Sequence, residues 1–194
     1  MGVRVHSGWG ALVVVSGEAA TVEVIERRRI VLTDPQVAGA NQPYHWAAKM
    51  GLLEAEEYVS GCAVVSERLA LVAAGDLIRE LHNRDYEVKG VAVLLASGRA
   101  LPALSEILAS HALIHTAEGE FFRKAFWRAC ERLEIPVTAL RERDLEERAQ
   151  AAFGKVAAQV QRRISTLGRF LGPPWTEDQK KAAVAASIVL TAAS

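Results

Sequence analysis

Three short stretches of this chain hold residue types that could do chemistry. In "SHALIHTAEGEFFRKAF" (110–126), His111, His115 and Glu118 stand at i, i+4 and i+7, a spacing that would align three ligands if a helix ran through them. Thr116 reads instead as the cap of a helix that starts there. That predicts both histidines in a preceding extended piece and Glu118 as a solvated carboxylate. A loop that leaves a buried strand and feeds a helix N-terminus is nonetheless where α/β sheets take ligands. "NQPYHWAAKM" (41–50) sets two amides beside Tyr44, His45 and Trp46, a set that can bind a ring-shaped ligand or seal a core edge. "VRVHSGWGALVVV" (3–15) puts His6 and Ser7 at a strand end, where the imidazole could bind a backbone group, hold Zn²⁺ or act as a general base. Its "SGWG" lacks the lysine and spacing of a phosphate loop and reads as a turn.

These residues need elements to position them. From Val3 to Leu32, short β-branched runs broken at "SGWG" and "SGEAA" predict an antiparallel meander over 3–8, 10–16 and 21–32. A loop carrying Asp-Pro and Gln-Pro follows, with Pro43 placed for a first helical turn. Helical periodicity then runs from Tyr44 to about Asn83, with a break expected at Ser60-Gly61 and a buried face of Val65, Leu69, Val72, Leu77, Ile78 and Leu81. "KGVAVLLAS" (89–97) and "IPVTAL" (135–140) read as buried parallel strands, with helices over 102–111 and 117–133 around them. One long amphipathic helix carries a stripe from Leu145 to Leu171 and stops at Gly172-Pro173-Pro174. Thr176 can cap a last helix whose small inner residues let it lie close to a sheet. The fold class predicted is α/β: a mixed five-stranded sheet, meander plus parallel strands, flanked by helices.

Composition narrows the function classes. The 194 residues suit one domain, 1–194, and Lys plus Arg equal Asp plus Glu at 23 each, so no global field gathers nucleic acid or anionic lipid. No run approaches a membrane span, and no leader-like segment opens the chain, so a cytoplasmic protein of bacterial style is expected. Cys62 and Cys130, in apolar helical contexts, are expected as buried free thiols. Beyond Arg148 six basic residues stand against Glu177 and Asp178, a mild skew that a solvated helix face explains as well as phosphate contacts. The run "ERRRI" (26–30) reads as a solvated sheet edge, with a nucleic-acid patch as the alternative.

Element order across almost the whole chain, with "VHSG" (5–8) and "EDQKKAAVAASIV" (177–189), resembles the ribonuclease H-like superfold, and within it the Holliday-junction resolvase type. In such nucleases the stretch matching 5–8 is a hydrophobic residue, Asp, any residue and Gly. The stretch 177–189 is similar to their last helix, which opens with spaced acids and continues in small apolar residues. The resemblance implies two divalent cations between carboxylates of the first strand, the fourth strand and the last helix, stabilising the attacking and leaving oxygens of a phosphodiester. Here His6 replaces the first acid, a residue near Leu94 replaces that of the fourth strand, and Lys181 stands three residues after Asp178 on the same helix face. One carboxylate beside a lysine cannot hold two hard cations. Two-metal cleavage is therefore expected to be absent, and neither metal nor cofactor is called for. The expected function is binding of a partner protein or a small or nucleotide-like ligand in a sheet crevice, with His6, Ser7, His45, His115, Glu118 and Asp178 as its residues. A hydrolase using His6 or His115 as base, and a nucleic-acid binder that does not cut, are the alternatives, with nucleic acid not favoured and no membrane partner expected.

Overall fold

The computed structural model describes residues 1–96 and 100–193. Its sheet has five strands: β1 Gly2–His6, β2 Trp9–Ser16, β3 Glu23–Val31, β4 Val91–Leu95 and β5 Val137–Arg141. They lie in the order β3-β2-β1-β4-β5. β1, β2 and β3 pair antiparallel, while β4 runs parallel to β1 and β5 parallel to β4. The expected meander and parallel strands are present. β1 ends at His6 because Ser7 and Gly8 form the turn, with Gly8 at φ +80, and Trp9 already opens β2. The fourth apolar run pairs only over Val91–Leu95, and its last residue, Ser97, lies outside the described residues.

The helices are α1 Pro43–Ala47, α2 Leu52–His82, α3 Leu104–Leu108, α4 His111–Arg132, α5 Leu145–Phe153, α6 Ala157–Thr166, α7 Gly168–Leu171 and α8 Glu177–Ala192. Three expectations are corrected. α2 runs unbroken through Ser60 and Gly61, and the interruption falls before Leu52. The cost of a helical glycine, about 0.5–1 kcal/mol, is outweighed by the face that α2 lays on α4. That buried face is Cys62, Ser66, Ala70, Ala74, Leu77 and Leu81, smaller residues than expected, whereas Val72 is exposed. The stripe from Leu145 to Leu171 belongs to three helices, because Gly154 at φ +54 turns the chain between α5 and α6. Leu145, Ala149, Phe153, Val160, Ile164 and Leu167 are buried all the same. Lastly, α4 starts at His111, capped by the Ser110 side chain, which accepts from the Leu113 N–H at 3.5 Å. Thr116 is not a cap: its hydroxyl donates back to the Ala112 carbonyl inside the helix at 3.0 Å.

Alternation along the strands divides the core in two. Val3, Val5, Leu12, Val91 and Val93 pack with α2 and α4 through Leu77, Leu81, Phe122 and Phe126. Val13, Val15, Ala92 and Leu94 face α5, α6 and α8. α8 meets the sheet through Ala182, Ala183, Ala185 and Ala186, all buried, and crosses β1, β2 and β4. The approach is close enough that a Cβ on Gly2 would lie 2.1 Å from the Ala182 carbonyl oxygen. Thr176 caps α8 as expected, in a capping box with Gln179. Both cysteines are free and buried. No helix among the described residues is long and apolar enough to cross a membrane.

Candidate functional site

Since Val3 and Val5 face α2 and α4, the same alternation turns Arg4 and His6 toward α8 at the C-terminal end of β1. Two carboxylates meet them. Glu142 follows the last residue of β5, and Asp178 sits in the first turn of α8. Arg4 donates to Glu142 in the two-pronged manner of a guanidinium, Nε to Oε1 at 2.8 Å and Nη2 to Oε2 at 3.0 Å, while its Nη1 donates to Asp178 Oδ1. Lys181 Nζ reaches Glu142 Oε2 at 3.1 Å, and His6 Nε2 lies 3.2 Å from Asp178 Oδ2. Burial alone would raise the Glu142 carboxyl, but hydrogen bonds from Arg4 and Lys181 outweigh it and hold that group below its ordinary value. Outward from this network, the His6 ring stacks on Trp9, its cross-strand partner, at 4.4 Å and 17°. The Arg29 guanidinium covers the Trp9 ring at 3.8 Å.

The resemblance to metal-dependent nucleases invites a test of this donor set. All four oxygens of Glu142 and Asp178 have a nitrogen partner, from Arg4, Lys181 or His6. Leu94 of β4 is buried in the apolar core on the α8 side. A hard divalent cation needs several free oxygen ligands. The residues present do not fit a pair of them.

A second group forms where α1 crosses the start of α4. His45, from α1, brings its ring to within 4.8 Å of the His115 ring and 5.5 Å of the His111 ring, centroid to centroid. His111 and His115, one helical turn apart, are 4.4 Å from each other. Glu118 is 3% exposed, the reverse of the solvated carboxylate expected. Its Oε1 accepts from the backbone N–H groups of Tyr44 and His45 at 2.9 and 3.0 Å and faces His45 Nδ1 at 3.2 Å. Burial raises this carboxyl above its usual range, and the His45 and Tyr44 hydrogen bonds only partly offset that.

The predicted residues thus fall into two places: His6, Ser7 and Asp178 at the end of β1, and His45, His115 and Glu118 at the head of α4. Ser7 is an exposed turn residue. Among the described residues no hydrogen bond, ion pair or ring contact joins His6 or Asp178 to the histidine group. Sequence reasoning missed Arg4 and Glu142. Arg4 had a signal, two residues before His6 and so on the same face; Glu142 had only its place directly after β5, an edge strand in which Leu140 alone is buried, not the buried strand expected. The arginine run lies on β3, a sheet edge as expected, where Arg29 is exposed over Trp9 and the other two arginines have protein partners. Arg27 donates to the carbonyls of Leu171 and Gly172 at 2.7 and 2.9 Å, and Arg28 pairs with Glu80 and Glu26.

A cavity of about 650 Å³ opens between α2 and α4, beside Leu95 at the C-terminal end of β4 and Ala139 in the middle of β5. Tyr44, Leu95, Phe121 and Trp127 give it an apolar, aromatic wall. Charged side chains reach it as well: Arg123, paired with Glu120 at 2.9 Å, Arg128, paired with Glu67 at 2.5 Å, and Lys124. Arg123 is buried, and its Nε has no partner among the described residues.

A three-stranded meander, two parallel strands reached through helices and a last helix laid across the sheet define a ribonuclease H-like fold. Among solved structures, the chain is similar to Thermus thermophilus RuvC in complex with Holliday junction substrate, at 16% identity over 96% of this chain and 88% of that one, with a TM-score of 0.50. Another structure of Thermus thermophilus RuvC aligns at 15% identity over 96% and 89% of the two chains, with a TM-score of 0.48. No protein-family model matches the chain, and no curated protein does.

Proposed function

We propose that this protein binds its ligand without cutting it, a ribonuclease H-like fold whose nuclease site has become an internal ion-pair network. The observation that carries this reading is Arg4, whose guanidinium bridges Glu142 and Asp178 and supplies the positive charge that metal ions give such carboxylates in nucleases. The ligand class follows from the cavity at the end of β4. An aromatic wall with Lys124 and with Arg123, whose Nε has no partner among the described residues, suits a small anionic molecule with a flat ring, nucleotide-like in chemistry. Its place beside the C-terminus of β4 is where open α/β sheets gather ligands.

The test has two arms. Purified protein with Mg²⁺ or Mn²⁺ is incubated with four-way junctions and RNA–DNA hybrids, and is expected to leave both uncut. Cleavage that Asp178→Asn abolishes would overturn the proposal. Nucleoside phosphates are then screened by thermal shift, with a rise in Tm expected in the wild type and a smaller one in Lys124→Ala and Trp127→Ala. Equal shifts in all three would remove the cavity as the site. A hydrolase reading draws on the His6–Asp178 contact at 3.2 Å. It requires turnover of a small ester or phosphoester that His6→Ala eliminates.

A further inference from the structure

We propose that His45, His111 and His115 form a site for a divalent transition cation of the Zn²⁺ class, with three imidazole nitrogens as ligands and a fourth position open to solvent. One ligand nitrogen from each ring lies within 4.8 Å of the other two. His111 and His115 are one turn apart on α4, so their side chains leave the helix from the same face, and His45 arrives from α1 to close the triangle. A tetrahedral Zn²⁺ with nitrogens at about 2.0–2.1 Å needs donors about 3.4 Å apart. His111 and His115 are exposed, so rotation of their rings closes that gap without disturbing the core.

Glu118 is the second, independent observation. It lies one turn beyond His115 on α4 and is buried, with Oε1 3.2 Å from His45 Nδ1. A carboxylate there favours the tautomer with the proton on Nδ1, and that tautomer leaves the Nε2 lone pair free for a metal. The other oxygen, Oε2, is buried and has no partner among the described residues. A buried carboxylate with one oxygen unpaired is costly, and a cation on the imidazole it holds would offset that. His111 and His115 have ring neighbours but no hydrogen bond or ion pair among the described residues, so their nitrogens are not committed elsewhere. The positive end of α4 opposes a cation here, and the Glu118 charge acts against that field. Imidazole donors select Zn²⁺, Cu²⁺ or Ni²⁺ and reject Mg²⁺ and Ca²⁺, which prefer oxygen. The site is distinct from the Arg4 network and does not rest on the binding proposal, although Tyr44, next to His45, also lines the cavity.

Tag-free protein, stripped with a chelator, is titrated with Zn²⁺ alone against a chromophoric competitor, and Co²⁺ is used to read geometry from its visible spectrum. One equivalent of Zn²⁺ and a tetrahedral Co²⁺ spectrum are expected. His115→Ala, at an exposed position that leaves the fold intact, should abolish both. Glu118→Gln, checked for folding by circular dichroism, should weaken Zn²⁺ by about 10–100-fold, while Mg²⁺ fails to compete. Absence of stoichiometric Zn²⁺ binding, or a folded His115→Ala that binds as tightly as the wild type, would overturn the proposal.

Discussion

Replacing Arg4 with Met keeps an unbranched stem in place and removes only the charge and its donors. The guanidinium makes three charge-assisted hydrogen bonds, two to Glu142 and one to Asp178. Cutting a fully buried pair by deleting one partner costs about 3–5 kcal/mol, and an exposed pair is worth about 0–1 kcal/mol. Arg4, Glu142 and Asp178 are 25%, 24% and 20% exposed, so water re-solvates part of what is lost. The expected destabilisation is therefore about 2–3 kcal/mol at neutral pH, intermediate between those limits. For a chain of this size that is about 4–12 °C in Tm. Urea melts of Arg4→Met should show it as a lower midpoint with an unchanged slope. In a Glu142→Gln, Asp178→Asn background the same substitution should cost less than about 1 kcal/mol, because no carboxylate is left stranded. An equal loss in both backgrounds would mean that Arg4 stabilises through its stem, and the view of it as a fixed counter-cation would fail.

Two further outcomes follow from the same geometry. Glu142 has its carboxyl lowered by folding, so the stability it confers is complete above the unfolded carboxyl value of about 4.3 and is lost as pH falls through the lower folded value. The gap in Tm between wild type and Glu142→Gln should hold from neutral pH to about pH 5 and shrink in acid below that; a gap that widened in acid would reverse the sign of the linkage. Gly2→Ala drives a Cβ against the Ala182 carbonyl and the Ala186 amide, both backbone, so β1 and α8 must separate. A loss of about 1–3 kcal/mol in denaturant melts is expected, and unchanged stability would show that α8 can shift freely.

The sheet was legible because its strands carry strong, local signals. A continuous apolar run marked β4, the short stretch "IPVTAL" marked β5, and the breaks at Gly8 and Gly17, both at positive φ, marked the meander turns. Helix limits were less so. Ser60-Gly61 has the composition of a break because propensity is local, while the contact that holds α2 straight comes from α4, distant in sequence. Thr116 has the chemistry of a cap because its hydroxyl can bond in either direction, and Ser110, six residues earlier, takes that role. Moving the start of α4 back to His111 is what turns two apparent loop histidines into a pair on one face. The polar site divides in the same way. His6 and Asp178 are evident in the chain and do meet, and Arg4 shares the His6 face by its i, i+2 spacing, but Glu142 joins them only through the end of β5, which no linear spacing ties to β1.

On β1, valines at 3 and 5 face one core while the arginine at 4 and the histidine at 6 face the other side of the sheet. The hydrogen-bonded sheet is thereby a partition. On one side lies the ionic network with α8; on the other, α4 carries the histidine cluster against α1 and packs with α2. Free energies of change at sites that touch different packing partners tend to add rather than couple. The molecule is in that sense two ledgers written on opposite faces of one page: revision of the charges beneath α8 leaves the imidazoles at the head of α4 undisturbed, and the reverse holds equally.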